Sequence, residues 1–548
     1  MRDRAAHRWL FALLGPHRLR LGLVLAVSLA VSGLALAQPY VTKLIVDDGL
    51  LGRRLDLVAW YSALILAAAV LAAVLGAANR WLYVTVSGEV LFALREALFR
   101  HLQRLSPAFF AHRSKGDVLA RLDGDVAELQ RFAVDSLLAA VNASIVLLGT
   151  LAVMAVLDPW LTLLGFVALP AQVLALTLVR PRVERQTRAL RERSGALSGF
   201  FVDNLARMKL VQACAAEERE RTRLAGLNRA FLADLRRLEI TGHAGAVIPG
   251  LLGGMATAAV FLAGGAMVVA GELSVGTLIA FTAYLARASA PVNTLLGLWV
   301  AQKRAHVSLQ RVMELLDQPP AVEEPAEPQS LSEPARGEIR IEGVRFGFGA
   351  ATVLEGVEAV IPGGAKVGIT GMSGAGKSTL IDLLHRHYDP DHGRILLDGV
   401  DLRRLRLGDL RRRIAVVSQD APLIAGSVAD NIRYAAPDAS DADVRRAAEA
   451  AQMLELGLDT QVGDLGAAVS GGQRQRLAIA RAILQDPLVL ILDEATAGVD
   501  AAAQARIIAA IDRLFAGRTR IVVSHHAEAL ARVDRLLVLR GGCLEPAA

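Results

Sequence analysis

Residues 365–387 read AKVGITGMSGAGKSTLIDLLHRH, and the reading of this run decides the architecture of the chain's second half. AKVGIT is a short apolar stretch of strand type, and TLIDLLHRH carries its apolar residues at helical spacing. Between them, residues 371–378 fit G-x-x-x-x-G-K-[ST]: Gly371, Met372, Ser373, Gly374, Ala375, Gly376, Lys377 and Ser378. Glycines let the backbone wrap a phosphate, and the N–H groups at a helix N-terminus complement its charge. In that arrangement Lys377 reaches the β- and γ-phosphates of a nucleotide, and the Ser378 hydroxyl ligates Mg²⁺. Strand, loop and helix agree, which an incidental glycine turn does not require.

Downstream, residues 488–494 (LVLILDE) form an apolar strand that ends in two acids. An acid at the end of a buried strand is costly unless a cation or a water uses it. Asp493 suits Mg²⁺, and Glu494 suits a base that orients or deprotonates an attacking water. His525 ends a further apolar strand, RIVVSH, where one reading has it contact a γ-phosphate and the other gives it a structural role; its place beside the glycine loop and the acid pair favours the first. Between these strands lies VSGGQRQR (469–476), opening a helix that runs through LAIARAIL. Ser470, Gly471 and Gly472 at that helix start form a second anion site. One nucleotide does not need two such sites in one domain, so the second is expected to serve a nucleotide held by another copy.

Upstream, EIRIEGVRFGF alternates like a strand, and RIAVVSQ adds another apolar run. Buried strands separated by helices indicate an α/β domain with a largely parallel sheet from residue 337 onward. Before it, residues 317–336 (DQPPAVEEPAEPQSLSEPAR) are rich in Pro and Glu and read as an extended, solvated linker. The front of the chain differs again. Six stretches, at 19–37, 58–84, 137–157, 160–179, 244–269 and 275–300, are long enough to cross ~30 Å of hydrocarbon as helices. They account for a chain that is 53% hydrophobic yet 21% charged. The loop at 95–131 carries Arg95, Arg100, Arg104, Arg113, Lys115 and Arg121, and the loop at 180–237 is denser still. Lys and Arg mark the cytoplasmic side, so both termini are expected inside. The net charge of +6 follows from these loops and does not argue for nucleic acid. Residues 1–18 read as an amphipathic surface helix and not a signal peptide. Cys214 and Cys543 stand far apart, in no metal-ligand spacing.

Polar groups inside the spans are candidates for meeting cargo, since an ionisable group in hydrocarbon normally faces a cavity or a partner. Arg287 falls in the sixth span, Asn79 and Arg80 near the inner end of the second, and Gln38 late in the first. An anionic or amphipathic cargo meeting Arg287 and Arg80 is one reading. The other has Arg80 snorkelling to the interface and Arg287 pairing with a backbone carbonyl.

Taken together the motifs resemble those of the ATP-binding cassette (ABC) transporters of exporter type, and the likeness runs over nearly the whole chain. VSGGQRQR is similar to the family signature, ITGMSGAGKST to Walker A, LVLILDEAT to Walker B, and VVSHHAE to the switch-histidine region. HRHYDPDHGRILLDGVDL resembles the stretch after Walker A, and SPAFFAHRSKGDVLARLDGDV the first coupling-helix region. GELSVGTLIAFTAYLARASAPV followed by SLQRVMELLD looks like the last span entering the cassette.

The resemblance implies a six-helix all-α transmembrane domain (1–316), the linker, and an α/β P-loop NTPase, the ABC domain (337–548). It implies ATP and Mg²⁺ as ligands, Phe348 stacking on adenine, and Thr379 closing Walker A. Gln419 would stand in the Q-loop near the metal with Ser378 and Asp493. Glu494, His525, Lys377 and Gln419 would serve hydrolysis, and Ser470 to Gln473 of a second copy would cover the nucleotide. The protein would then be a homodimer, or half of a heterodimer, in the cytoplasmic membrane, moving an amphipathic small molecule, lipid or peptide by alternating access. An importer with the exporter fold is the alternative. Four departures accompany the match: Val469 for Leu, Asp464 for Glu, Ala497-Gly-Val-Asp500 for Ser-Ala-Leu-Asp, and His526 for Arg.

Overall fold

The computed structural model describes all residues except 1–7, 11, 114, 321, 350, 454, 464–467, 496–500 and 548. Its chain gathers into two compact units, one of residues 1–100 and 116–317, the other of residues 101–115 and 318–548.

The first unit is helical. Its six long apolar helices are those of the sequence reading: α1 (Arg18–Leu44), α2 (Leu55–Leu102), α3 (Leu137–Leu157), α4 (Pro159–Ala206), α5 (Glu217–Val269) and α6 (Val275–Leu316). Hydrocarbon offers no partner for backbone N–H and C=O groups, so a spanning segment must satisfy them internally. The 48 residues of α2 or α4 reach about 72 Å at 1.5 Å per residue. That is more than twice a ~30 Å hydrocarbon core, so these helices continue well beyond it. Asp158 ends α3 and caps α4, accepting from Leu161 N at 2.8 Å, which makes the turn between them tight. α6 packs on α3 and α1, whereas α4 and α5 pack chiefly on each other. Large apolar side chains on the outer faces, such as Trp60, Trp81, Val156 and Val269, are exposed in the single chain.

Arg287 has a structural explanation. Pro39 lies inside α1 and has no N–H, so the Ala35 carbonyl one turn earlier loses its helical donor. The Arg287 guanidinium donates to that carbonyl, and its other nitrogen donates to Gln38 Oε1 at 2.8 Å. Tyr284, one turn away on α6, donates its hydroxyl to Leu36 O at 2.6 Å. Proline frees one carbonyl of α1, which Arg287 fills, and Tyr284 adds a bond to the carbonyl beside it. The carbonyl reading of Arg287 therefore holds over the anionic-cargo reading, and Gln38 is its second acceptor. Arg80 lies 5.4 Å over the Tyr83 ring. Asn142, the lone polar amide of the third span, accepts from Ser32 on α1 at 3.2 Å.

At the start of α6, about three turns before Arg287, Asp47 ties that helix to the segment just after α1. Its carboxylate accepts from Ser274 Oγ at 2.6 Å and from Gly276 N at 2.8 Å, with Lys43 Nζ 3.3 Å away. A Cβ on Gly276 would stand 2.6 Å from both the Asp47 carboxyl and Lys43 O. Glycine is what permits this approach.

The second unit contains a six-stranded sheet in the order β10–β9–β3–β8–β7–β6. Its members are β3 (Lys366–Gly371), β6 (Ile414–Val417), β7 (Val489–Asp493), β8 (Thr519–Val523), β9 (Arg535–Arg540) and β10 (Cys543–Pro546). All neighbours are parallel except the terminal β9–β10 hairpin. A smaller antiparallel sheet runs β2–β1–β4–β5, from β1 (Ile339–Phe348), β2 (Ala351–Ile361), β4 (His392–Leu397) and β5 (Val400–Asp401). β3 with α7 (Lys377–Leu384) packs in one apolar core, and α8 (Gly471–Gln485) packs in another with Val444 and Ile432. The Pro/Glu-rich segment is extended as read, but it is pinned along this unit and not simply solvated. Gln329 N donates to Arg404 O at 2.8 Å, Arg386 donates to Glu323 O at 2.9 Å, and Leu331 is buried.

The proline account predicts coupling. Pro39→Ala restores a donor for Ala35 O, so Arg287→Leu should destabilise that background less than the wild type. A double-mutant cycle of thermal unfolding in detergent is expected to return a coupling of about 1 kcal/mol. Additive effects would refute the account.

Candidate nucleotide site

Strand order builds the site. β8 lies between β3 and β7, and in register Val523 stands beside Ile369 on one side and Asp493 on the other. Whatever follows the carboxyl ends of these strands is therefore brought to one edge, where open α/β sheets hold ligands. The loop at 371–376 follows β3, Asp493 and Glu494 close β7, and His525 follows β8.

The loop needs its glycines for different reasons. Gly371 is the last residue of β3, and a Cβ there would meet Leu539 O at 2.5 Å. Gly374 and Gly376 have φ of +80° and +102°, the left-handed region that side chains disfavour. Gly376 caps α7, aiming that helix's free N–H groups at the loop. Lys377 folds back over the loop, its Nζ donating to Gly371 O at 2.8 Å and Met372 O at 3.0 Å. Met372, Ser373 and Ser378 are exposed, Ala375 is half-buried and Thr379 is buried.

Beyond β7 the backbone turns sharply. Glu494 has a φ of +49°, unusual for a residue with a side chain, while its N–H donates to Val523 O at 3.0 Å. The ladder with β8 continues through this residue while its side chain is turned toward the strand edge. Glu494 Oε1 lies 2.7 Å from His525 Nδ1. Ser524, buried, fixes the turn after β8: its N–H donates to Ile369 O at 3.2 Å and its hydroxyl accepts from His526 N at 3.0 Å. Burial first and the Glu494 charge second push the Asp493 carboxyl up, and Lys377 pulls it down.

Two residues near this edge escaped the sequence reading. Asp382 on α7 is pushed up to about 6 by burial and by Asp493. Its signal was an acid among the apolar residues of TLIDLL. Tyr388 packs against Phe348 at 5.5 Å and Phe346 at 5.4 Å between ring centroids, leaving Phe348 partly exposed. Its hydroxyl accepts from Ala108 N at 2.8 Å, in the short helix Pro107–His112 that belongs to this unit.

Gln419 is exposed on the turn after β6, the strand beside β7. Ser470 and Gln473 form a capping box: Gln473 Oε1 accepts from Ser470 N at 2.8 Å, and Ser470 Oγ accepts from Gln473 N at 3.3 Å. Their side chains hold the start of α8 and leave the N–H groups of Gly471 and Gly472 to face outward from it. The departures at Asp464 and at 497–500 lie outside the described residues; Val469 is buried, and the His526 ring stacks 4.0 Å from that of His525.

Six apolar helices joined to an α/β domain with a glycine-rich phosphate loop define a membrane-spanning nucleotide hydrolase. The comparisons are specific. The ABC transporter transmembrane region family matches residues 21–292 and the ABC transporter family residues 354–497. An ATP-dependent lipid A-core flippase of Nitrosococcus oceani is 34% identical, covering 83% of this chain and 78% of that protein. A second, from Chromobacterium violaceum, is 30% identical over 94% of this chain and 90% of its own. The ABC transporter ATP-binding protein YfiC of Bacillus subtilis is 30% identical over 85% and 78%. The structure of a bacterial Atm1-family ABC exporter with ATP bound superposes with a TM-score of 0.80 at 27% identity, covering 96% of this chain and 94% of that one. The chain belongs to the ABC transporter family, as a fused half-transporter of the exporter fold. It is a nucleotide-binding ATPase coupled to transport and a multi-pass protein of the bacterial inner membrane.

Just past the end of α7 stands a half-buried imidazole pair, His385 Nδ1 and His387 Nε2 3.2 Å apart. Burial, with Arg411 adding to it, pushes them down to about 3 and about 4. Both are neutral in the folded unit and would titrate near 6.5 when unfolded, so stability is full above that pH and falls as pH drops below it. His387→Phe should therefore narrow the difference in thermal midpoint between pH 7.5 and pH 5. An unchanged difference would remove the pair from the account.

Proposed function

We propose that two copies of this chain form the working transporter, each hydrolysing ATP at the carboxyl edge of β3, β8 and β7. The observation that carries this reading is the Glu494–His525 contact of 2.7 Å beside the glycine loop. The N–H groups of Gly371, Met372, Ser373, Gly374, Ala375 and Gly376, with Lys377 and Thr379, hold the phosphates. Lys377, now satisfied by loop carbonyls, exchanges them for phosphate oxygens. Phe348 offers its exposed ring to adenine, supported from behind by Tyr388.

Ser378, Asp493 and Gln419 would hold Mg²⁺. They fit it in chemistry, being all-oxygen donors, one of them a half-buried carboxylate beside a second acid. The ion, when bound, neutralises charge on the phosphates. Glu494 Oε accepts the proton of the attacking water, and His525 holds that carboxylate in position and donates toward the γ-phosphate. Ser470, Gly471, Gly472 and Gln473 of the second copy cover the nucleotide, since the outward-facing N–H groups of α8 form an anion site.

The cargo is an amphipathic small molecule, lipid or peptide, moved out of the cytoplasm by alternating access, with both termini inside. The flippase relatives support an amphiphile, and so does a bundle lined by Ala, Leu, Val and Gly with Arg287 already committed to α1. A siderophore-type importer built on this fold, or a heterodimer with a paralogous half-transporter, is the second reading.

ATP hydrolysis by the purified protein in lipid, across a panel of lipids, drugs and peptides, tests the proposal. Glu494→Gln is expected to lower turnover about 10²-fold or more and to trap nucleotide. A wild type without ATPase activity, or a variant that hydrolyses normally, would overturn it. Transport into inside-out vesicles decides direction, and crosslinking Ser470 to the glycine loop of a second copy decides the dimer.

A further inference from the structure

One acid at the nucleotide edge has no task in the chemistry proposed above. From Lys377 to His385 the chain is buried except at Lys377, Ser378, Asp382 and His385. Ser378 and Asp382 stand one helical turn apart on α7, so their side chains share its open face. Asp382 is half-buried, and it lies close enough to Asp493 for that charge to push its carboxyl up.

Among the described residues no N–H or O–H group donates to the Asp382 carboxylate, and no cation pairs with it. A carboxylate partly out of water, without a donor and beside a second acid, is costly as it stands. The group that would relieve that cost is a hydrated cation. Mg²⁺ demands near-octahedral geometry and keeps several of its waters, and the protons of those waters need acceptors. Asp382 stands one turn behind one of the proposed ligands of the ion, Ser378, and beside another, Asp493.

We propose that Asp382 is a positioning residue for the metal, accepting from a water of the Mg²⁺ that Ser378 and Asp493 would hold. This rests on the magnesium reading given above. Asp382 touches neither the phosphates nor the attacking water and acts through the ion's hydration shell. Its charge therefore has opposite effects on two forms of the ligand. It repels the phosphates of a metal-free nucleotide and attracts the cation that a loaded nucleotide brings.

Asp382→Asn keeps the shape and removes the charge, and AMP-PNP supplies a nucleotide that is not turned over. Two affinities are measured on the full-length protein in lipid at pH 7.5: Mn²⁺ in the presence of AMP-PNP, by electron paramagnetic resonance, and AMP-PNP in EDTA. The variant is expected to bind Mn²⁺ about ten-fold more weakly. In EDTA it should bind AMP-PNP at least as tightly as the wild type does. A packing defect would weaken both, so a loss of both overturns the proposal. Unchanged Mn²⁺ affinity overturns it as well. If Asp382→Asn fails to fold, Asp382→Ser carries the same expectations. A wild type that binds no nucleotide overturns this proposal together with the ATPase reading. A wild type that binds Mn²⁺ and AMP-PNP no better than the variant overturns this proposal alone.

Discussion

The backbone ladder that holds β8 between β3 and β7 is the constraint on which the nucleotide edge depends. Val523 is shared by both ladders, so the ends of three strands arrive together whatever their order in the sequence. The same ladder accounts for the conformation of Glu494, whose N–H still bonds to Val523 O while its φ of +49° turns the chain. Strain at one residue is tolerable when the pairing on either side of it determines where that residue must lie. His525, one step past Ser524 on the neighbouring strand, is then within hydrogen-bond reach of the Glu494 carboxylate.

The helical unit obeys a different constraint. In hydrocarbon every backbone carbonyl needs a donor from protein, and a proline removes one. At Pro39 the missing donor comes from Arg287, and Tyr284 adds a bond to the next carbonyl, Leu36 O, which ties α1 to α6. At the start of α6, Asp47 does the reverse, supplying an acceptor to the free N–H of Gly276. One helix is thus joined to another by repairs to its backbone at two levels. The pairing of α4 with α5 has no such tie to α1 among the described residues, and their outer faces remain apolar and exposed. Those faces need lipid or a second copy to cover them.

Much of both units was legible beforehand because the signals are local. Spans depend on an uninterrupted run of some twenty apolar residues, and each of the six read from composition is a helix in the structure. The glycine loop depends on eight consecutive residues between a strand and a helix. Asp382 was missed because an acid in a helical run looks like a solvated position until the opposite strand is known to carry Asp493. Tyr388 was missed for the same reason, since its aromatic neighbours lie on β1. The extended segment after α6 was read as solvated because Pro and Glu exclude a core. They do not exclude backbone bonds such as Gln329 N to Arg404 O.

By itself the sequence determined the kinds of element, the phosphate loop and the pair of acids at the end of β7, since each rests on residues within one or two turns of one another. It left Arg287 open between cargo and carbonyl. Only the tertiary structure decided, because the partners are Ala35 and Gln38 on another span. The sequence placed His525 near a phosphate but not against any side chain, and β8 beside β7 brings its ring to Glu494. Short-range periodicity specifies what a segment becomes. Which side chains meet is fixed by strand order and helix packing, and these depend on burying apolar surface across the whole unit.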